Sequence, residues 1–336
     1  EHFEGIHYEL DEILIASGGR PLIYTIFKSI VDEGDQVIYA VPSWNNNHYT
    51  HLNNAQHCVI ETTPENNFMP LAADIEKHIS KAVLICLCTP QNPTGTTLSR
   101  TELEKICDII IAENKRRTNE EKKVYLMFDQ MYWTLTYSDI QHSNPVTLRP
   151  EIRNYTIFVD GISKAFAATG VRVGWALGPA EIIGKMKALL SHIGAWAPMA
   201  EQQATAKYLT NFPAITSYLN HFKNELEQRL KIIYAGFIRL KQKGYSVDAI
   251  TPQAAIYLTV KLDLAGKVAN GQKLLTQADV TSYVLGEAKL AVVPFYAFGA
   301  SQQSPWYRLS IGTCKLSDIE PMFAQLEAAL EKLRDE

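Results

Sequence analysis

The sequence predicts an α/β fold: a mostly parallel sheet with helices on both faces, joined to a smaller α+β carboxyl-terminal domain. Three observations carry this expectation. In the first half, short β-rich runs alternate with longer segments of helical periodicity, the pattern of parallel strands connected by crossover helices. Several of those runs, such as 83–88, are apolar without interruption, as strands covered on both faces should be. After about residue 243 the rhythm of strands and helices changes. The 336 residues also fit two domains, at roughly 150 residues for a typical one.

Strands are expected at 36–41, 57–62, 83–88, 124–128, 156–159 and 171–177. The last two are joined without a full helix and could pair antiparallel. Ahead of them, Pro21 in a first helical turn leads Leu22, Ile23, Ile26, Phe27, Ile30 and Val31 at helical spacing, and Gly34 closes the segment. Ser99 and Glu102 form a capping box before a helix with Leu103, Ile106, Ile110 and Ile111 on its apolar stripe. Residues 199–243 read as charged connecting helices. A second sheet then begins at Tyr245, with strands at 256–262, 291–294 and 307–311 and an amphipathic helix at 316–333. The expected division is 1–198 as a large domain, 199–243 as connection, and 244–336 as a small domain.

Composition bounds the function. With 46% hydrophobic and 20% charged residues the chain is expected to fold, and 32 Lys+Arg against 36 Asp+Glu leaves a net charge of −4, which argues against nucleic acid as a main partner. Five cysteines without Cys-x-x-Cys spacing fit buried free thiols in a reducing compartment, so the cytoplasm is expected. The longest apolar runs are far shorter than the ~20 residues of a membrane helix. No metal is expected. The chain opens Glu-His-Phe-Glu-Gly without an initiator Met, so a further segment upstream is expected.

Ligands of an open parallel sheet bind beyond the carboxyl ends of its strands. Following the 83–88 run comes Thr89-Pro90-Gln91-Asn92-Pro93-Thr94-Gly95; following 124–128 comes Asp129; following 156–159 come Asp160-Gly161-Ile162-Ser163-Lys164. An amide, a carboxylate and an amine thus converge on one edge. Taken singly, Asn92 reads as a loop asparagine, Asp129 as a helix cap and Arg308 as a surface strand charge. Lys164, in a small and apolar setting, suits an amine of depressed pKa, as a Schiff base requires. Gly18, Gly19 and Arg20, directly before the Pro21 helix, make an anion site of freed backbone amides. The letters match neither the dinucleotide fingerprint nor the Walker loop.

The motif Ser163-Lys164-Ala165-Phe166, with Thr169-Gly170-Val171-Arg172-Val173-Gly174-Trp175, resembles the cofactor-lysine signature of the class I/II aminotransferase family, the fold-type-I enzymes dependent on pyridoxal 5′-phosphate. Asn92-Pro93-Thr94-Gly95 and Asp129-Gln130-Met131-Tyr132 resemble that family's Asn-Pro-Thr-Gly and Asp-x-x-Tyr segments, in matching order and spacing. The resemblance implies a large domain of the seven-stranded type and an amino-group transfer from an amino acid to a 2-oxo acid through a Lys164 aldimine. It assigns Asp129 to the pyridinium nitrogen, Asn92 and Tyr132 to the phenolic oxygen, and Trp44 to the ring face. Gly18, Gly19, Arg20, Ser163 and Arg172 would hold the phosphate, and Arg308 the substrate carboxylate. A homodimer is implied as well.

Two other readings keep part of this picture: a carbon–sulfur lyase or decarboxylase on the same cofactor, and a ligand-sensing regulator on the same fold. The sequence departs from the family's pattern at Ala254-Ala255-Ile256-Tyr257 and at Pro294-Phe295, both of which the resemblance places around the substrate entrance. Residues 191–198 contain no arginine for a side-chain carboxylate, only His192. With Trp44, Trp133, Trp196, Phe295 and Tyr296 expected near the entrance, an aromatic or large apolar amino acid is expected to be preferred to aspartate.

Overall fold

The computed structural model describes residues 6–335; the opening Glu-His-Phe-Glu-Gly segment lies outside the described residues. Strands β1 (Ile13–Ala16), β2 (Gln36–Val41), β3 (Gln56–Glu61), β4 (Ala82–Cys88), β5 (Tyr125–Asp129), β6 (Thr156–Gly161) and β7 (Gly174–Leu177) form one sheet in the order β1-β7-β6-β5-β4-β2-β3. Pairing from β3 through β6 is parallel. β7 runs antiparallel to both β6 and β1. Between β6 and β7 lie only the single turn Ile162–Ala165 and the turn Thr169–Val171, too little chain for a crossover helix.

Alternation along β4 explains the layers. Leu84 and Cys86 join a core with Leu22 and Ile26 of helix Gly19–Ile30 and Ile182 and Met186 of helix Ala180–Ile193. Ile85 and Leu87 join the opposite core with Leu103, Ile106 and Ile110 of helix Arg100–Arg116. Successive side chains point to opposite faces, so an unbroken apolar run is what two covered faces require. Ser99 caps the Arg100–Arg116 helix by accepting the Glu102 N–H at 3.2 Å. The capping box is only half formed, because the Glu102 carboxylate accepts the Ala72 N–H at 2.8 Å instead.

Two further differences from the sequence expectation concern the sheet's edge. β1 was not anticipated: its four residues are made a strand by pairing with β7, a partner more than 150 residues away. β7 starts at Gly174 rather than 171, because Thr169–Val171 is a 3-10 turn and Arg172 takes a left-handed conformation with φ 62°.

Helices Met199–Leu209 and Phe212–Gln242 lead to a second, four-stranded antiparallel sheet. Its order is Val293–Pro294, Trp306–Ser310, Tyr257–Leu262, Val247–Ala249. Helix Leu316–Glu331 packs on it through Ile319, Phe323 and Leu326, and the long helix through Leu230, Ile233 and Phe237. This is the fold class that the sequence pattern indicates. Among the described residues no helix is long and apolar enough to cross a membrane, no cluster could hold a metal ion, and the five cysteines are free.

The loop after β4 joins the two sheets. Thr259 Oγ1 donates to the Thr94 carbonyl at 2.8 Å, and the Ala254 N–H to the Gly95 carbonyl at 2.9 Å. Gly95 has φ +71°, and a Cβ there would lie 2.2 Å from the Tyr257 carbonyl oxygen. Gly95→Ala should therefore lower stability by about 2–3 kcal/mol, from strain and overlap with backbone that cannot move aside. Urea unfolding checks this against Gly184→Ala, whose Cβ meets nothing within 4 Å on the helix Ala180–Ile193 and which should gain ~0.5–1 kcal/mol.

Candidate active site

Parallel pairing delivers the site. β4, β5 and β6 are neighbours, with Cys88 opposite Asp129 and Asp129 opposite Val159, so the segments that follow them emerge side by side. Lys164 sits half-buried on the turn Ile162–Ala165 directly beyond β6. Thr169 Oγ1 donates to the Ser163 carbonyl at 3.1 Å and Ala167 turns the chain with φ 49°. Burial pushes the Lys164 pKa down, and the guanidinium groups of Arg308, Arg20 and Arg172 push it further by like-charge repulsion. The apolar flanks visible in the sequence are thus only part of the cause.

Those arginines come from three places. Arg20 lies in the first turn of helix Gly19–Ile30, whose cap residue Gly18 has φ 95°. Arg172 donates 2.7 Å bonds to the carbonyls of Ser17 and Thr169, bracing its guanidinium beside the helix start. A Cβ on Gly18 would fall 2.3 Å from Arg172 Nη2, so any larger residue would displace that guanidinium. The Gly18 N–H is not freed as the sequence suggests, because it donates to the Ala16 carbonyl at 2.7 Å; the Gly19 N–H at the helix start, flanked by two guanidiniums, suits a doubly charged anion.

Arg308 comes from the second sheet. Its Nη1 donates to Asn92 Oδ1 at 3.0 Å, which leaves the Asn92 amide N–H groups for another acceptor. Its guanidinium lies 4.8 Å from the ring centre of Tyr257, 4.9 Å from that of Phe298 and 5.9 Å from that of Trp44. Arg308 Nε is buried without a partner, an orphan donor that a carboxylate would satisfy. Trp44 has Arg20 at 5.6 Å as well, so its ring stands between the two cationic ends.

Asp129 accepts the Met131 N–H at 3.0 Å, and burial pushes its pKa up to about 6. Its hydrogen-bonding neighbours are neutral donors, Met131 N–H and the Cys88 thiol, so a cationic N–H would stabilise its anion. Tyr132, buried, shares a 2.6 Å hydrogen bond with the Tyr257 hydroxyl.

The structure brings together Gly18, Gly19, Arg20, Trp44, Asn92, Asp129, Tyr132, Ser163, Lys164, Arg172 and Arg308. Of the aromatics expected at the entrance, Trp44 lies beside Arg308 and packs on the cluster of Phe295 and Phe298. Trp133 Nε1 donates to Asp160 at 2.8 Å, and its ring lines an ~810 Å³ cavity with Phe166 and Trp175 instead. Phe295 is fully buried with its ring 5.1 Å from Phe68, and Trp196 is 41% exposed. His192 is exposed too. Sequence reasoning missed Phe298 and Tyr257, which flank Arg308, and Asp160, whose pKa burial raises to about 7. Tyr257 lay within the departing Ala254-Ala255-Ile256-Tyr257 segment, and strand alternation with Arg308 opposite Thr259 was the signal that could have placed it.

A half-buried amine of lowered pKa, with three guanidiniums acting on it at the carboxyl edge of a parallel sheet, suits an enzyme that uses a phosphorylated carbonyl cofactor. Residues 2–326 match the family described as aminotransferase class I and II, and the chain belongs to that family. The aspartate aminotransferase of Rhizobium meliloti strain 1021 is 28% identical over 333 residues, covering 98% of this chain and 77% of that one. A probable aspartate/prephenate aminotransferase of Rickettsia felis is 29% identical over 330 residues, covering 96% and 76%. The crystal structure of the aspartate aminotransferase from Rhizobium meliloti superposes with a TM-score of 0.87 at 27% identity, over 98% of this chain and 79% of that one. The protein is a pyridoxal-phosphate-dependent aminotransferase, acting on amino acids and 2-oxo acids.

The electrostatic origin of the Lys164 shift gives a direct expectation. In protein freed of cofactor, an amine-directed acylating reagent should modify Lys164 with a pH midpoint below the ordinary value of about 10.4, and Arg308→Leu should raise that midpoint by removing one like charge. Peptide mapping across a pH series checks both; an unchanged midpoint in Arg308→Leu would contradict the stated cause.

Proposed function

We propose that Lys164 carries the cofactor and moves the proton, that Asp129, Asn92, Tyr132 and Trp44 hold the cofactor ring, and that Arg308 grips the substrate α-carboxylate. The observation that supports this most is Arg308, which reaches from the second sheet to Asn92 and presents a buried, unpartnered Nε beside Lys164. Pyridoxal phosphate, when bound, supplies an electron sink for the carbanion left by loss of the α-proton. Lys164 Nζ, its pKa lowered by burial and by three guanidiniums, would serve as the base that takes the proton from the substrate Cα and as the acid that gives it back. Asp129 would pair with the ring nitrogen. Asn92 and Tyr132 would serve as donors to the ring oxygen, and Trp44 would pack on the ring. The Gly19 backbone N–H, with Arg20, Ser163 and Arg172, would hold the phosphate, Gly18 supplying the turn, since its own N–H donates to the Ala16 carbonyl at 2.7 Å. Arg308 orients the Cα–H bond by holding the carboxylate.

On this reading residues 1–198 bind the cofactor, 199–243 connect, and 244–336 carry Arg308 and close over the substrate. A homodimer is supported by Ile193, Trp196, Met199, Tyr208 and Phe212, large apolar residues exposed along one stretch of chain. The free thiols support a cytoplasmic location. For the amino donor we propose aspartate. Relatives named for aspartate support this, and of the aromatics expected at the entrance Trp133 is instead tied to Asp160 and Trp196 is exposed.

Two measurements test this. In a donor panel with 2-oxoglutarate, aspartate should have the highest kcat/KM; phenylalanine or tyrosine exceeding it by tenfold would return the preference to an aromatic donor. Asp129→Asn should still bind cofactor but lose about a thousandfold in turnover, equivalent to ~4 kcal/mol of transition-state stabilisation. Near-normal half-reaction rates in stopped flow would remove Asp129 from its role.

A further inference from the structure

Tyr257 touches three parts of the site at once. Its hydroxyl is 2.6 Å from the Tyr132 hydroxyl, its ring centre lies 4.8 Å from the Arg308 guanidinium, and its carbonyl packs on Gly95 of the Asn92 loop. It is 5% exposed and Tyr132 3%, with ring centres 5.6 Å apart at 68°. Tyr132 follows β5 in the large sheet, whereas Tyr257 opens a strand of the second sheet, paired with the strand of Arg308. The hydroxyl pair is therefore a polar bridge between the two sheets, in a place otherwise closed to water.

We infer that Tyr257 is a positioning residue that orients the Tyr132 hydroxyl toward the cofactor's ring oxygen. Two hydroxyls in contact have two protons and only one is used between them. When Tyr257 donates to the Tyr132 oxygen, the Tyr132 proton is left free to point outward, and an O–H whose oxygen already accepts a hydrogen bond is a stronger donor. The Arg308 cation over the Tyr257 ring favours that arrangement, because it makes Tyr257 the more acidic partner. Phenylalanine at 257 would keep the ring beneath Arg308 and lose the bridge, so Tyr132 would be free to rotate without a partner for its oxygen.

This inference rests on the proposed role of Tyr132, and the test separates the two. The bound cofactor's visible absorbance changes with pH, and its ring oxygen carries more negative charge in the deprotonated form. A donor at that oxygen lowers the midpoint, and losing or weakening it raises the midpoint. In purified holoenzyme without substrate, Tyr132→Phe should raise the midpoint, and Tyr257→Phe should raise it in the same direction by a smaller amount, at least about 0.3 unit. The double variant should match Tyr132→Phe alone, since Tyr257 acts through Tyr132. An unmoved midpoint in Tyr132→Phe would overturn the Tyr132 assignment. A shift in Tyr132→Phe with none in Tyr257→Phe, or a double variant in which the two shifts add, would overturn the positioning role of Tyr257 and leave Tyr132 in place.

Discussion

Like charges gathered around a lysine are costly unless something answers them, and Lys164 has Arg20, Arg172 and Arg308 acting on it together. Burial and that repulsion lower the cost of the neutral amine, the form that attacks a carbonyl, and the guanidiniums would bind a phosphate at one end and a carboxylate at the other. Asp129 has the complementary problem, a recessed carboxylate among neutral donors whose pKa rises to about 6 until a cationic N–H is supplied.

The fold serves this arrangement by bringing distant pieces of chain to one edge. Arg20 needs the start of the first long helix, Arg172 needs the left-handed turn before β7, and Arg308 needs a second sheet laid against the loop after β4. Packing secures each. The cores on both faces of the parallel sheet fix the strand ends, and the Thr94–Thr259 and Gly95–Ala254 bonds fix the second sheet relative to Asn92.

Local chemistry was legible in the sequence because it depends on neighbours in the chain. The unbroken apolar run at β4, the glycines before the first helix, and the Ser163-Lys164 and Asn92-Pro93 motifs each announced their place. What escaped was set by contacts far apart in sequence. β1 is a strand only because β7 is beside it, and Glu102 leaves its capping box because Ala72 offers an N–H. Trp133 faces away from Arg308 because Asp160, on the next strand, accepts its indole N–H, a preference no periodicity contains. The cause of the Lys164 shift was half legible: its apolar flanks are local, whereas the three guanidiniums converge only in the folded chain.

The central claim is that Lys164 is the residue to which the cofactor is joined. Borohydride reduction of the purified holoenzyme converts such a linkage into a stable secondary amine, and peptide mapping by mass spectrometry then locates it. The account predicts one pyridoxyl label, on the peptide containing Ser163-Lys164-Ala165, and no label at any position in Lys164→Ala. A label on a different lysine, or an undiminished one in Lys164→Ala, would contradict it.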